Sequence, residues 1–176
     1  MASLVDTYNE SNANGGTRLD SADFTKLGQS FTAYNAYLDS CKFYLSKTGS
    51  PTGNITANLY AHSGAFGSSS VPTGAALATS TAVSAATVSD GFALVTFTFD
   101  GTYLFTSVNY VITIEYSGGD ASNRINVGTD TTSPTHSGNY SQYSGSWSAI
   151  SGNDLTFYVY GNIPAGIHTQ SLMGIG

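Results

Sequence analysis

Apolar and polar side chains alternate with a period of two in four segments of the chain. These segments are residues 55–61, 95–99, 112–115 and 155–160. Alternation of this kind turns one set of side chains toward a core and the other toward solvent, which is typical of a β-strand. Less regular runs predict further strands at residues 4–8, 29–33, 36–46, 76–83, 124–127 and 146–150. Residues 21–27 are compatible with one capped helical turn.

Turn-forming residues separate the predicted strands. Asp-Gly pairs at residues 90–91 and 100–101, and stretches rich in Gly, Pro, Asn and Asp at 48–53, 118–120 and 152–154, are typical of tight connections. Short strands at this spacing predict a sandwich or a barrel. A single open sheet would leave one face bare, so two packed sheets are favoured. We therefore predict an all-β fold, a two-sheet antiparallel β-sandwich that is jelly-roll-like and has about 8–10 strands.

Three segments follow from this pattern. Residues 1–27 form an N-terminal segment with the first strand, residues 28–161 form the β-sandwich domain, and residues 162–176 form an apolar C-terminal arm. The arm contains no Asp, Glu, Lys or Arg, and its apolar residues are Ile163, Ile167, Leu172, Met173 and Ile175. An exposed apolar stretch is a solubility liability, so we predict that the arm docks on a partner, the alternative being a floppy terminus. Deleting residues 162–176 is expected to leave a folded domain that no longer assembles.

The composition excludes several partners. Charged residues make up 9% of the chain, against about 25% in an average soluble protein. With five Lys and Arg and a net charge of −6, the chain has no basic patch for a phosphate backbone, so we predict no nucleic-acid partner. No apolar run approaches the roughly 20 residues of a membrane span. The first residues lack the cationic and apolar parts of a secretory signal.

The surface chemistry and the cysteine content point to different compartments. Low charge, many hydroxyls and 12 tyrosines are typical of an extracellular surface, yet the single Cys41 cannot form an internal disulfide. A virion component reconciles the two, because it folds in the reducing host cytoplasm and acts outside it. A leaderless extracellular or cell-surface domain is the alternative. Cys41 alternates with Phe43 and Leu45, which predicts a buried thiol on a strand.

The motifs of an enzyme are missing from the sequence. His62, His136 and His168 are scattered without metal-ligand spacing, and neither a nucleophile elbow nor a P-loop occurs. Two glutamates and the scattered aspartates give no pattern typical of a catalytic dyad. We therefore predict no catalytic residues, no metal and no cofactor. A structural calcium stays an open alternative, because oxygen-bearing residues occur in loops, but turn and capping roles explain Asp120, Asn123, Asp130, Asn153 and Asp154.

One region has the chemistry of a carbohydrate site. Residues 128–146 predict a long polar loop, and long loops in compact domains are often functional. Sugars present apolar ring faces and hydroxyls, so their sites combine aromatic rings with amide or carboxylate side chains. The candidates for glycan binding are His136, Asn139, Tyr140, Gln142, Tyr143 and Trp147. The structural alternative is that Trp147 anchors the loop in the core and the tyrosines cover the sheet edge.

Several stretches resemble a known family in their order and spacing. They include Gly28-Gln29-Ser30-Phe31-Thr32, then residues 45–55 and 59–60, then Gly145-Ser146-Trp147 before residues 154–161. Over residues 28–161 the chain resembles the choice-of-anchor R type domain. The resemblance implies a jelly-roll-like sandwich of the kind found in phage particle proteins and bacterial surface proteins. It implies no catalytic residues.

Two functions from different classes follow. The first is a non-enzymatic structural virion protein, a phage head decoration or tail-associated subunit, whose partners are other virion subunits or copies of itself. It would be located in the virion, after assembly in the host cytoplasm. The alternative is a carbohydrate-binding module that recognises surface glycans.

Overall fold

The computed structural model describes residues 1–164, and its strands confirm the predicted all-β class. Fifteen strands and two short 3-10 helices, Glu10–Asn12 and Ala85–Thr87, make up this part of the chain. The strands are β1 Ser3–Tyr8, β2 Gly15–Leu19, β3 Lys26–Thr32, β4 Ala36–Thr48, β5 Asn54–Ser63, β6 Val71–Thr79, β7 Val83–Ser84, β8 Ala93–Thr98, β9 Tyr103–Leu104, β10 Asn109–Glu115, β11 Arg124–Asp130, β12 Tyr140–Tyr143, β13 Trp147–Ile150, β14 Asp154–Leu155 and β15 Phe157–Asn162. Over residues 1–164, no helix is long and apolar enough to cross a membrane.

The first sheet is organised around its longest strand. Strand β4 has 13 residues and pairs with β15 and β11 along one edge and with β8 and β9 along the other. Strand β1 extends the sheet beyond β15, β2 extends it beyond β11, and the short β14 continues alongside β11. All of these pairings are antiparallel.

The second sheet has the order β13-β12-β3-β10-β5-β6, and β7 adds to β5. Strands β3 and β10 lie at its centre and pair without interruption from Lys26–Glu115 to Thr32–Asn109. Strand β6 carries a bulge, because residues 74–77 lie opposite the single residue Tyr60. The two antiparallel sheets confirm the predicted β-sandwich.

The core between the sheets contains the residues that alternation assigns to it. Ile55, Ala57 and Leu59 of β5 and Ile112 and Ile114 of β10 are fully buried. They face a cluster from the first sheet in which the rings of Phe43 and Phe97 meet edge-on at 6.2 Å, surrounded by Cys41, Leu45, Ile125, Val127, Phe157 and Val159. Burial raises the pKa of the Cys41 thiol well above its ordinary value, and the predicted buried thiol is confirmed.

The sandwich is larger than the sequence pattern predicts. It has fifteen strands rather than 8–10, and it begins at Ser3 rather than at residue 28, since β1 and β2 belong to the first sheet. Strand β2 opens with two glycines and was not predicted. The missing side chain of Gly16 leaves room for the ring of Phe92, which would lie 2.8 Å from a Cβ there. The predicted helical turn at residues 21–27 is not formed: residues 21–25 form a turn closed by Asp20, and residues 26–27 already belong to β3.

The two ends of the sandwich differ in what they carry. Strand β1 starts and β15 finishes at one end, where Ser3 pairs with Gly161 and Asn162 with Tyr37. We name this the terminal end. Strand β4 runs from there to Thr48, so the opposite, far end holds the start of β3 and β5 and the last residues of β10. Of the predicted arm, Ile163 is 51% exposed at the terminal end. Ile167, Leu172, Met173 and Ile175 lie outside the described residues.

Candidate functional site

The six residues predicted to bind a glycan do not form one surface. His136, Asn139 and Tyr140 have buried side chains, whereas Gln142, Tyr143 and Trp147 are half-buried. The predicted loop of residues 128–146 is also shorter than expected, because β11 extends to Asp130 and β12 occupies residues 140–143. The remaining connection, residues 131–139, packs into the molecule through its last residues.

Asn139 has a structural role, because its hydrogen bonds connect separate segments of the chain and leave none for a ligand. Its side-chain oxygen accepts a hydrogen bond from the backbone N–H of Ser70 at 3.1 Å, and its Nδ2 donates to the carbonyls of Ser70 and Tyr140 at 3.0 Å each. Its backbone N–H donates to Oγ of Ser30 at 2.8 Å. The side chain is fully buried, so no polar atom is left for a sugar hydroxyl, and the predicted role of Asn139 is corrected.

His136 belongs to a polar network between the two sheets. Its Nδ1 accepts from the backbone N–H of Gly138 at 3.0 Å and from Gln29 Nε2 at 3.2 Å. The proton is therefore on Nε2, which faces Asp6 Oδ1 at 3.3 Å. The side chain is 6% exposed and its ring packs edge-on against Phe157 at 5.1 Å. The predicted glycan contact of His136 is thus corrected as well.

Tyr140 is the third residue whose predicted exposure is wrong. Its ring is 1% exposed and part of the core, and burial raises the pKa of its hydroxyl. That hydroxyl donates to Gln142 Oε1 at 3.1 Å. Strand alternation explains the position, because residues 140 and 142 of β12 point inward and residues 141 and 143 point outward.

Tyr143 and Trp147 remain on the outer face of the second sheet. They are cross-strand partners on β12 and β13, and their rings meet at 5.4 Å in a T-shaped arrangement. Lys26 lies next to them on β3, with Nζ 5.5 Å from the centroid of the Tyr143 ring. The alternative that Trp147 anchors a loop in the core is not what the structure shows, because Trp147 is only half-buried and packs on the outer face.

An open cleft at the far end continues this aromatic pair. Its volume is about 310 Å³, and it is lined by Thr25, Lys26, Asn54, Thr56, Glu115, Tyr116 and Ser117. The Lys26 ammonium and the Glu115 carboxylate form an ion pair at 2.9 Å inside it, with side-chain exposures of 32% and 16%.

Glu115 is fixed by two further hydrogen bonds. Its Oε1 accepts from the hydroxyls of Tyr60 and Thr113, each at 3.0 Å, while Oε2 faces Lys26. Burial and the nearby carboxylate raise the pKa of Tyr60 to about 12, so its hydroxyl stays protonated and donates. The Glu115 carboxylate oxygens, which can accept hydrogen bonds from a ligand, are therefore held in place before it binds.

The aspartates considered for calcium are engaged in local hydrogen bonds. Asp120 accepts from the backbone N–H groups of Ser122 and Asn123, which lowers its pKa. Asp154 accepts from Gln29 and from the backbone N–H of His136, while burial raises its pKa. Within residues 1–164, no group of three or more His, Cys, Asp or Glu side chains is placed to hold a metal ion.

Asp130 makes the stability of the fold sensitive to acid. It accepts from Tyr8 Oη at 2.7 Å and from the backbone N–H groups of Thr132 and Ser133, and these bonds lower its pKa. A carboxylate with a lowered folded-state pKa stabilises the fold above its unfolded-state pKa of about 4, and that stabilisation is lost as the pH falls through the lowered value. When the pH is lowered from neutral to strongly acidic, the free energy of unfolding should fall less in Asp130→Asn than in wild type. We expect the difference between the two decreases to be about 1 kcal/mol.

Urea unfolding at both pH values measures this difference. The matched control is Asp100→Asn, an exposed aspartate in a turn, which should keep the wild-type dependence. An unchanged pH dependence in Asp130→Asn would contradict the assignment.

Comparison with known proteins leaves the family open. A search against protein-family models gives no match, and a search of curated proteins gives none either.

The cleft was missed in the sequence because its residues are far apart along the chain. Lys26, Asn54 and Glu115 each occupy the end of a different strand, and only the strand register brings them together. The sequence contains one indication of the cleft. Because the chain has only five Lys and Arg residues and two Glu, an oppositely charged pair at strand ends is a candidate for a functional site.

Proposed function

We propose that the chain is a non-enzymatic structural protein of a virus particle, a phage head decoration or tail-associated subunit that displays its sandwich outward. The proposal rests on the sequence resemblance to choice-of-anchor R type domains and on the low surface charge. The observation that carries it is an aromatic surface at the terminal end, where both ends of the described chain also lie. A subunit held there would present its far end to the surroundings.

That surface, which we name the end patch, consists of Tyr37, Tyr103, Phe105 and Val108. Tyr37 and Tyr103 are cross-strand partners with ring centroids 5.1 Å apart, and Tyr103 and Phe105 meet at 5.0 Å. Phe105 is 58% exposed, Tyr37 45% and Val108 40%. None of the four side chains is charged. A contiguous aromatic surface of this kind is typical of the centre of a protein–protein interface.

The last described residues also lie at the terminal end. Asn162 pairs with Tyr37, and its Nδ2 donates to Asp39 Oδ1 at 2.9 Å, so the residues that follow start beside the end patch. The predicted arm therefore begins, at Asn162, beside the surface that we assign to a neighbouring subunit.

The composition of purified particles tests the proposal. Particles grown from the genome that encodes the chain should contain it in a fixed copy number, measured by quantitative mass spectrometry. Phe105→Ser should lower its occupancy by about tenfold or more, because an aromatic residue at the centre of an interface contributes on the order of 2 kcal/mol. Phe92→Ser is the matched control, since Phe92 is 39% exposed but packs on Tyr44 away from the end patch.

Two results would count against the proposal in different ways. A chain missing from wild-type particles would contradict the virion function itself. Equal occupancy of the Phe105→Ser and Phe92→Ser chains would contradict only the assignment of the end patch as the attachment surface.

A further inference from the structure

We propose that the cleft at the far end, together with Tyr143 and Trp147, binds a neutral pyranose sugar. This inference is independent of the particle function, because it concerns the opposite end of the molecule. It moves the predicted glycan site from the 128–146 region to a surface built from five strands. Only Tyr143 and Trp147 of the original candidates are retained.

The first argument is the alignment of the side chains. Trp147, Tyr143, Lys26, Glu115 and Thr56 are successive cross-strand partners on β13, β12, β3, β10 and β5, and we name them the outer row. Neighbouring strands are about 4.8 Å apart, so the outer row is roughly 19 Å long. It offers two aromatic rings at one end and polar groups at the other. An oligosaccharide of a few units can lie along a surface of this length and alternate between stacking and hydrogen bonding.

The second argument is the chemistry of the cleft. A sugar with adjacent hydroxyls can donate from one hydroxyl to the Glu115 carboxylate and accept at the next from the Lys26 ammonium. The 2.9 Å separation of the two charges matches this bridging pattern. Thr25, Thr56 and Asn54 also line the cleft, and these polar residues offer further donors and acceptors. Its volume of about 310 Å³ is at the lower end of the range for small-molecule pockets.

The third argument fixes the charge of the ligand. Lys26 and Glu115 neutralise each other, and the chain carries a net charge of −6. An acidic sugar would meet a negative protein without an unpaired cation to receive it, so charge repulsion selects against it. The outer row therefore favours uncharged hexose units.

A glycan array followed by calorimetry on the best hit tests the inference with the full chain. We expect binding to neutral hexose glycans in the presence of a chelator, and little to sialylated or sulfated ones. Lys26→Met should weaken binding by about tenfold or more, since a charge-assisted hydrogen bond contributes about 1.5–3 kcal/mol. Trp147→Ala should weaken it to a similar degree through the lost stacking surface.

The chain supplies a matched control for Lys26. Lys42 lies over the ring of Tyr160 at 5.4 Å on the outer face of the first sheet, almost the same geometry as Lys26 over Tyr143. Lys42→Met should leave affinity within about twofold. Thermal melting of each variant separates lost binding from lost folding. Binding to no neutral glycan, binding that requires an acidic group, or equal affinity in Lys26→Met and Lys42→Met would each overturn the inference. None of these outcomes changes the expected particle occupancy.

Discussion

Replacing Gln29 with leucine is expected to lower the free energy of unfolding by about 3–5 kcal/mol at neutral pH. Gln29 lies on β3, points inward and is fully buried. Its Nε2 donates to Asp154 Oδ1 at 2.8 Å, and its Oε1 accepts from the backbone N–H of Leu155 at 2.9 Å. Leucine has a similar volume but neither polar atom, so a buried carboxylate loses a donor and a buried N–H loses its acceptor.

The pH dependence distinguishes this cause from a packing defect. Burial already raises the pKa of Asp154, and the hydrogen bond from Gln29 opposes that rise. Without Gln29 the folded-state pKa rises further. The destabilisation is then complete above the raised pKa and becomes smaller as the pH falls through it and Asp154 takes up a proton.

Urea unfolding in neutral and mildly acidic buffer measures both the size of the destabilisation and its dependence on pH. Gln142→Leu is the matched control, because Gln142 is half-buried and accepts only from the Tyr140 hydroxyl. We expect it to cost about 1 kcal/mol at either pH. If Gln29→Leu lost the same free energy of unfolding in both buffers, the destabilisation would not come from the Asp154 carboxylate.

Replacing Gly138 with alanine is expected to cost about 3 kcal/mol or more. A Cβ at this position would lie 1.9 Å from the carbonyl oxygen of Ser30 and 2.7 Å from its carbonyl carbon. Ser30 cannot move aside, because β3 is held by β10 over its full length. The connection would have to withdraw from β3, and the hydrogen bonds between Ser30 and Asn139 would be lost with it.

Gly152 provides the control for the steric effect of a Cβ at Gly138. Gly152 lies in a turn with open space around its Cβ position, so Gly152→Ala should change the free energy of unfolding by no more than about 0.5 kcal/mol. Both variants are measured by urea unfolding under the same conditions. If Gly138→Ala were as stable as Gly152→Ala, residues 131–139 would not be packed against β3 as described.

Sequence periodicity predicted the sandwich because its core strands obey simple alternation. Ile55, Ala57 and Leu59, and Ile112 and Ile114, each show the pattern that their buried face requires. Strands β2 and β12 were not predicted, because neither shows a clear alternation of apolar and polar residues. Strand β2 begins with two glycines, and β12 is a run of Tyr, Ser and Gln in which the inward residues are amphipathic. Polar side chains that pair inside the protein leave no hydrophobic signal in the sequence.

The candidate site was predictable only in part for the same reason. Aromatic and amide residues near position 140 suggested a sugar site, but composition does not tell which side of a strand faces solvent. The register of β12 turns Tyr140 inward and Tyr143 outward. The buried roles of His136 and Asn139 depend on partners more than 60 residues away, Gln29, Asp6 and Ser70. Such contacts follow from topology, which a single sequence does not specify.

The pairing of β1 with β15 determines how the domain responds to mechanical force. Ser3 faces Gly161 at the terminal end, so a pull that separates the two ends of the described chain breaks the β1–β15 bonds one after another and peels β1 away. A pull between Asn162 and the far end acts along the strands instead. The bonds from Tyr37 to Phe43 between β4 and β15 then bear the load together. A domain anchored through its C-terminal strand and gripped at the cleft would be loaded in its mechanically stronger direction.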